Sequence, residues 1–161
     1  MIFVTVGTHE QQFDRLVKAV DDLTANGIIT EFVFIQTGYS TYEPKHCKWA
    51  HFVSYVDMVE RMRKADVIIT HGGPSSFTEA MAAGKVPVVV PRRRDLGEHV
   101  NDHQVEFVRQ VAGRQGGIIP IYNVIDLPVA IETARIASKD ASFKSHNAKF
   151  CKEFEYLIER L

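Results

Sequence analysis

The residues best placed to do chemistry lie in the stretch Asp66-Val-Ile-Ile-Thr-His71-Gly72-Gly73-Pro74-Ser75-Ser76-Phe-Thr-Glu79, which continues through Gly84 and Pro87 to Pro91. It reads as strand, glycine turn, helix, glycine turn, strand. Adjacent glycines let backbone approach a ligand closely, and Pro74 suits the first position of a helix. The free N–H groups and positive dipole end of that helix favour an anion such as a phosphate, with Ser75 and Ser76 adding hydroxyl donors. Glu79 stands one turn further in. A carboxylate so near a diphosphate needs a task of its own, and accepting the two hydroxyls of a ribose diol is one. The alternative is a capping box, Ser76-x-x-Glu79, in which the carboxylate only closes the helix start. Spacing leaves both readings open.

His9, His71, His99 and His103 form a second group of candidates. Each taken singly reads as an imidazole satisfied by backbone hydrogen bonds, yet all four fall at or near predicted strand ends. The ordinary pKa of His9 suits proton transfer near neutrality, which makes it a candidate base, with Glu10 beside it. No H-x-x-x-H or H-E-x-x-H pair occurs, and His46-Cys47 has no further ligands at recognisable spacing, so no metal is expected. Arg92-Arg93-Arg94 follows Pro91. A basic run is ordinarily a solvated loop; the sharper readings are that Arg92 stabilises a leaving diphosphate, or that the loop touches acidic lipid head groups or a pyrophosphate.

These residues need a scaffold. Apolar, β-branched runs at 2–6, 31–36, 67–70 and 86–90 alternate with amphipathic, helix-length segments at 13–23, 75–83 and 100–111. Strands that are apolar almost throughout belong in a parallel sheet covered on both faces. The expected class is therefore α/β, a single Rossmann-like parallel sheet with helices on both faces, over one domain spanning 1–161. Ligands in such folds bind beyond the carboxyl ends of the strands, where Gly7, Gly38, Gly72-Gly73 and Pro91 stand. Segments 37–49 and 91–98 read as irregular and as possible flaps. Residues 143–161 carry an apolar stripe that predicts a terminal helix, docked on this chain's own sheet or on a partner.

Composition bounds the function. The 161 residues are 45% hydrophobic and 24% charged, which fits a globular domain able to bury its own core. Nineteen Lys plus Arg against 20 Asp plus Glu give a formal net charge of −1, which argues against nucleic acid as a partner. Two distant cysteines, Cys47 and Cys151, read as reduced thiols of a cytoplasmic protein. The start of the chain has no basic region, and no apolar run is long enough to span a membrane, so neither secretion nor a transmembrane segment is expected.

The pattern His71-Gly72-Gly73-x-Ser75-x-x-x-Glu79-Ala80-x-x-x-Gly84-x-x-Pro87-x-x-x-Pro91, followed by Glu98-His99-x-Asn101-Asp102-His103-Gln104, resembles the donor-binding half of family 28 glycosyltransferases. The opening Val4-Thr5-Val6-Gly7-Thr8-His9-Glu10-Gln11-x-Phe13-Asp14-Arg15 resembles the small donor subunits of bacterial exopolysaccharide and capsule transferases, whose eukaryotic relative is the catalytic subunit of the dolichol-linked chitobiose synthase. The resemblance implies a GT-B donor domain that takes a UDP-sugar, uses no cofactor, and transfers a hexose with inversion to a polyprenyl-pyrophosphate-linked acceptor. The acceptor half would be a membrane-anchored partner in a heterodimer, holding this chain at the inner face of the membrane. A non-catalytic accessory subunit is the other possibility.

By the same resemblance, the Tyr55 backbone would meet the uracil edge from a loop, and Glu79 the ribose. Gly7, Thr8, Gly73, Ser75 and Ser76 would surround the diphosphate, with His71 and Gly72 in the same turn. The segment of His99, Asn101, Asp102, His103 and Gln104 would read the sugar. His103 stands where relatives have glutamine.

Overall fold

The computed structural model describes residues 1–115 and 117–139; the predicted terminal helix at 143–161 lies outside them. Six strands form one sheet: β1 (Ile2–Thr5), β2 (Val33–Gln36), β3 (Lys48–Ala50), β4 (Val67–His71), β5 (Val88–Val90) and β6 (Ile119–Pro120). Every pairing is parallel and the order is β3-β2-β1-β4-β5-β6. Strand order reverses between β1 and β4, in register from Ile2 opposite Val67 to Thr5 opposite Thr70. A doubly wound sheet opens a crevice at such a reversal. The loops after β1 and β4 therefore flank it.

Alternation along the strands sorts the core into two layers. Ile2, Val4, Val33, Ile35, Val67, Ile69, Val88 and Val90 face helices α1 (Asp14–Ala25) and α5 (Leu127–Lys139), which contribute Leu16, Val17, Val20, Leu127, Ile131 and Ala134. Phe3, Ile68 and Val89 face the other way, onto α2 (Tyr55–Lys64), α3 (Pro74–Ala82) and α4 (His103–Gln115) through Met62, Ala80, Phe77, Met81, Val108 and Val111. Burial on both faces is why the strands are apolar throughout.

The strands expected, and the helices expected within the described residues, are present, and two strands and two helices add to them. β3 and β6 are edge strands of three and two residues, too short to show a period; Pro120, with no N–H to give, is tolerated at an edge. α2 buries only Met62. The fourth is α5.

The two segments read as flaps are instead pinned. In 37–49, Asp14 accepts hydrogen bonds from the backbone N–H groups of Thr41 and Tyr42, and Asp21 from those of Lys45, His46 and Cys47. In 91–98, Glu98 is 1% exposed and accepts two bonds from Arg15 and one from the Arg93 N–H.

Candidate functional site

Two adjoining clefts open at the C-terminal ends of the strands, separated by Gly73 and Pro74. The first, of about 220 Å³, sits at the β1/β4 reversal. Thr5, Gly7 and Thr8 line one side and the first turns of α3, down to Glu79, line the other, with Gln36 and Met58 closing the end. The second, of about 430 Å³, lies between Gly72–Pro74 and the start of α4, with His99, His103, Gln104 and Phe107 in its wall.

Gly73 caps α3 in extended geometry with no side-chain cap bond, and no side chain among the described residues satisfies the free N–H groups of its first turn. Ser75 and Ser76, which carry those donors, line the first cleft. Because the cap is Gly73 and not Ser76, the capping-box reading fails. Glu79 is half-buried and its side chain has no hydrogen-bond partner among the described residues, so its carboxylate is left for something in the first cleft.

His71 forms the floor. Its ring lies between two glycines: a Cβ on Gly7 would fall 2.4 Å from Cε1, and one on Gly73 would fall 2.2 Å from Nε2. Gly7 also needs its φ of 76°. Burial, helped by the charge of nearby Arg92, pushes the His71 imidazole down to about 3 against an ordinary 6.5, so it is neutral at physiological pH. Among the described residues its buried Nδ1 has no partner in good hydrogen-bonding geometry, although the Thr5 backbone lies close enough to oppose the shift. At the rim the His9 ring meets His99 edge-on, centroids 4.4 Å apart. Burial, then the His9 and Arg92 charges, lower the His99 pKa.

Gln36 was not expected at the site. Its amide donates to the carbonyls of Gly7 at 3.1 Å and His51 at 2.9 Å, and its Oε1 accepts from the Thr5 hydroxyl at 2.7 Å. The Gly7 turn is held by this bridge. A polar residue at the end of an otherwise apolar strand was the one available signal.

Residues 1–118 match the glycosyltransferase family 28 C-terminal domain. The chain belongs to this family. It is 32% identical over 121 residues to the UDP-N-acetylglucosamine transferase subunit ALG13 of Mus musculus, covering 68% of this chain and 10% of that protein. The Deinococcus deserti UDP-N-acetylglucosamine--N-acetylmuramyl-(pentapeptide) pyrophosphoryl-undecaprenol N-acetylglucosamine transferase is 28% identical over 116 residues, 70% of this chain and 30% of the enzyme. The chain thus spans between a tenth and a third of these relatives. Among solved structures, the glycotransferase of kitacinnamycin superposes with a TM-score of 0.65 at 18% identity, covering 99% of this chain and 42% of that one. The calicheamicin glycosyltransferase CalG4 gives 0.56 at 14% identity, covering 99% and 43%. At such identities the likeness is one of fold.

Within this family 28 domain, Gly7, Thr8, His71, Gly73, Ser75, Ser76 and Glu79 line the first cleft together. Gly72, His99, His103 and Gln104 line the second. Asn101 and Asp102 line neither; their carboxyl or amide oxygens accept from the His103 and Arg94 N–H groups and shape the loop. Tyr55 is not in a loop. It is the first residue of α2, capped by Ser54, and its ring is exposed.

Arg92, expected to stabilise a leaving diphosphate, is a structural residue instead. The side chain is fully buried, and its guanidinium donates to the carbonyls of Val6, Gln11, Gln12 and Glu98 at 2.8–3.1 Å. A group so committed cannot reach a leaving diphosphate. It instead ties the loop after β1 to the loop after β5. Among the described residues, no cluster of three or more His, Cys, Asp or Glu could hold a metal, and no helix is long and apolar enough to cross a membrane.

Proposed function

We propose that this chain binds a UDP-sugar and acts as the donor half of an inverting hexosyltransferase whose acceptor half is a separate, membrane-anchored subunit. The observation that carries the reading is the pairing, in one cleft, of the unsatisfied α3 N-terminus with the unpartnered Glu79 carboxylate one turn inside it. The N–H groups suit a diphosphate and the carboxylate suits a ribose diol. Tyr55 does not itself line this cleft; its N–H, one of the free donors of the first turn of α2, is proposed as the partner of the base, next to the end that Met58 closes. The hexose then falls in the second cleft.

In the transfer, departure of UDP builds negative charge on the diphosphate. The preorganised N–H groups of α3 and the hydroxyls of Ser75 and Ser76 stabilise it without a cation. Holding the donor fixed makes attack effectively unimolecular once an acceptor is presented. The proton of the acceptor hydroxyl goes to a base. His71 is excluded by its depressed pKa, and the base belongs to the partner or, on this chain, to His9 at the rim.

Two relatives named as UDP-N-acetylglucosamine transferases support UDP-N-acetylglucosamine as the first donor to try, ahead of UDP-galactose and UDP-glucuronate. The subunit status of the ALG13 proteins supports a two-chain enzyme. An acceptor on a polyprenyl pyrophosphate, in exopolysaccharide or capsule synthesis at the inner membrane face, completes the proposal. Calorimetric titration of UDP into wild-type and Glu79→Ala protein tests it. Binding that weakens about tenfold or more in the variant is expected. No binding to either protein would mean an accessory subunit.

A further inference from the structure

Gln104 lines the second cleft, where a side-chain amide would be assigned to sugar hydroxyls. Its acceptor atom, however, is already occupied. Oε1 accepts hydrogen bonds from the Gly72 N–H at 3.1 Å and from the Arg92 N–H at 3.0 Å. Gly72 follows β4 and precedes the cap of α3; Arg92 follows Pro91 at the end of β5. Both residues are buried, and nothing else is in hydrogen-bonding reach of either N–H among the described residues. Gln104 itself is the second residue of α4. One oxygen therefore joins the ends of two strands to the start of a third element, and all three converge on the partition between the clefts.

The geometry points to Gln104 as a positioning residue for the diphosphate-binding turn. Its Oε1 fixes the backbone from Gly72 into Gly73 and so aims the α3 N-terminus. Only its Nε2, which has no partner among the described residues, is left to donate to a ligand oxygen. The side chain thus couples the two clefts: a sugar drawn to Nε2 pulls on the amide whose other end holds the turn. Buried N–H groups deprived of an acceptor cost more than a lost surface contact, so removing Oε1 should move the turn rather than leave it unpaired.

This inference rests on the donor-site reading, and the experiment separates the two. UDP without a sugar, and then UDP-N-acetylglucosamine, are titrated into wild-type, Gln104→Met and Gln104→Glu protein at high salt, which screens the added carboxylate. Met keeps the volume but supplies no acceptor; Glu restores an acceptor for both N–H groups but has no NH₂. For UDP alone, Gln104→Met should weaken binding roughly tenfold or more, and Gln104→Glu should recover at least about half of that loss on a logarithmic scale. Thermal melting of each variant confirms that the protein titrated is folded. A folded Gln104→Met protein that binds UDP as wild type does, with a loss seen only for the UDP-sugar, overturns the inference, as does a Gln104→Glu protein no better than Gln104→Met. Should wild-type protein itself ignore UDP, it is the donor-site reading that falls.

Discussion

His71, Gly7 and Gly73 act as one steric unit. A Cβ on Gly73 would collide with the His71 ring, although the φ of −75° at Gly73 suits any residue. Gly73→Ala is therefore expected to destabilise the fold by about 1–3 kcal/mol, and the cost should largely vanish in a His71→Ala background. Urea denaturation of the two single variants and the double variant gives that coupling directly; strict additivity would contradict the clamp. Arg92 invites the opposite contrast. Replacing it with Met strands four carbonyl oxygens and should cost about 3 kcal/mol or more. A diphosphate ligand at that position would instead lose UDP affinity at unchanged melting temperature. Gly72, Gly73, Glu79 and the turn they share were legible in the sequence because they are local, within a few residues of one another. Arg92 was misread because its partners, Val6, Gln11 and Gln12, lie about 80 positions away in the chain. A triple arginine run also looks the same whether it is solvated or buried.

Among the elements, β1, β2, β4 and β5 and helices α1, α3 and α4 were read from the sequence, whereas the short edge strands β3 and β6 and the helices α2 and α5 were not. The segment 37–49 shows why irregular composition is a poor guide to looseness. A single carboxylate, Asp21 on α1, organises its second half. Burial alone would raise the pKa of Asp21, but the N–H groups of Lys45 and His46 and the Tyr42 hydroxyl outweigh it and bring the group down to about 2, against an ordinary 3.8. Donating to the same carboxylate holds Tyr42 up at about 12. A depressed carboxyl stabilises the fold above its unfolded pKa and loses that contribution as pH falls through the folded one. Asp21 should therefore supply about 2 kcal/mol above pH ~4, fading toward pH ~2. Asp21→Asn should remove most of that acid slope when unfolding free energy is followed over the interval, and an unchanged slope would contradict the assignment. Nothing in the local sequence marks Asp21 out from the neighbouring Asp22.

At the scale of the whole molecule, strand order places the chemistry. The reversal between β1 and β4 brings the Gly7 turn opposite the α3 N-terminus, and buried polar bridges from Gln36, Gln104, Arg92 and the Arg15–Glu98 pair fix the surrounding loops to one another. The rim is thus braced by the chain's own hydrogen bonds, which suits electrostatic stabilisation of the leaving diphosphate proposed above. The parallel sheet was legible from apolar strands alternating with helices; the bridges were not, since each joins residues distant in sequence and a single sequence carries no signal of pairing. The central claim is that Glu79 holds the ribose of a uridine nucleotide, and comparing UDP with 2′-deoxy-UDP on wild-type and Glu79→Ala protein tests it most directly. Wild type should prefer UDP by about tenfold, and the variant should bind both equally and weakly. Equal binding of the two nucleotides by wild type, or a preference for UDP that survives in Glu79→Ala, would contradict the account.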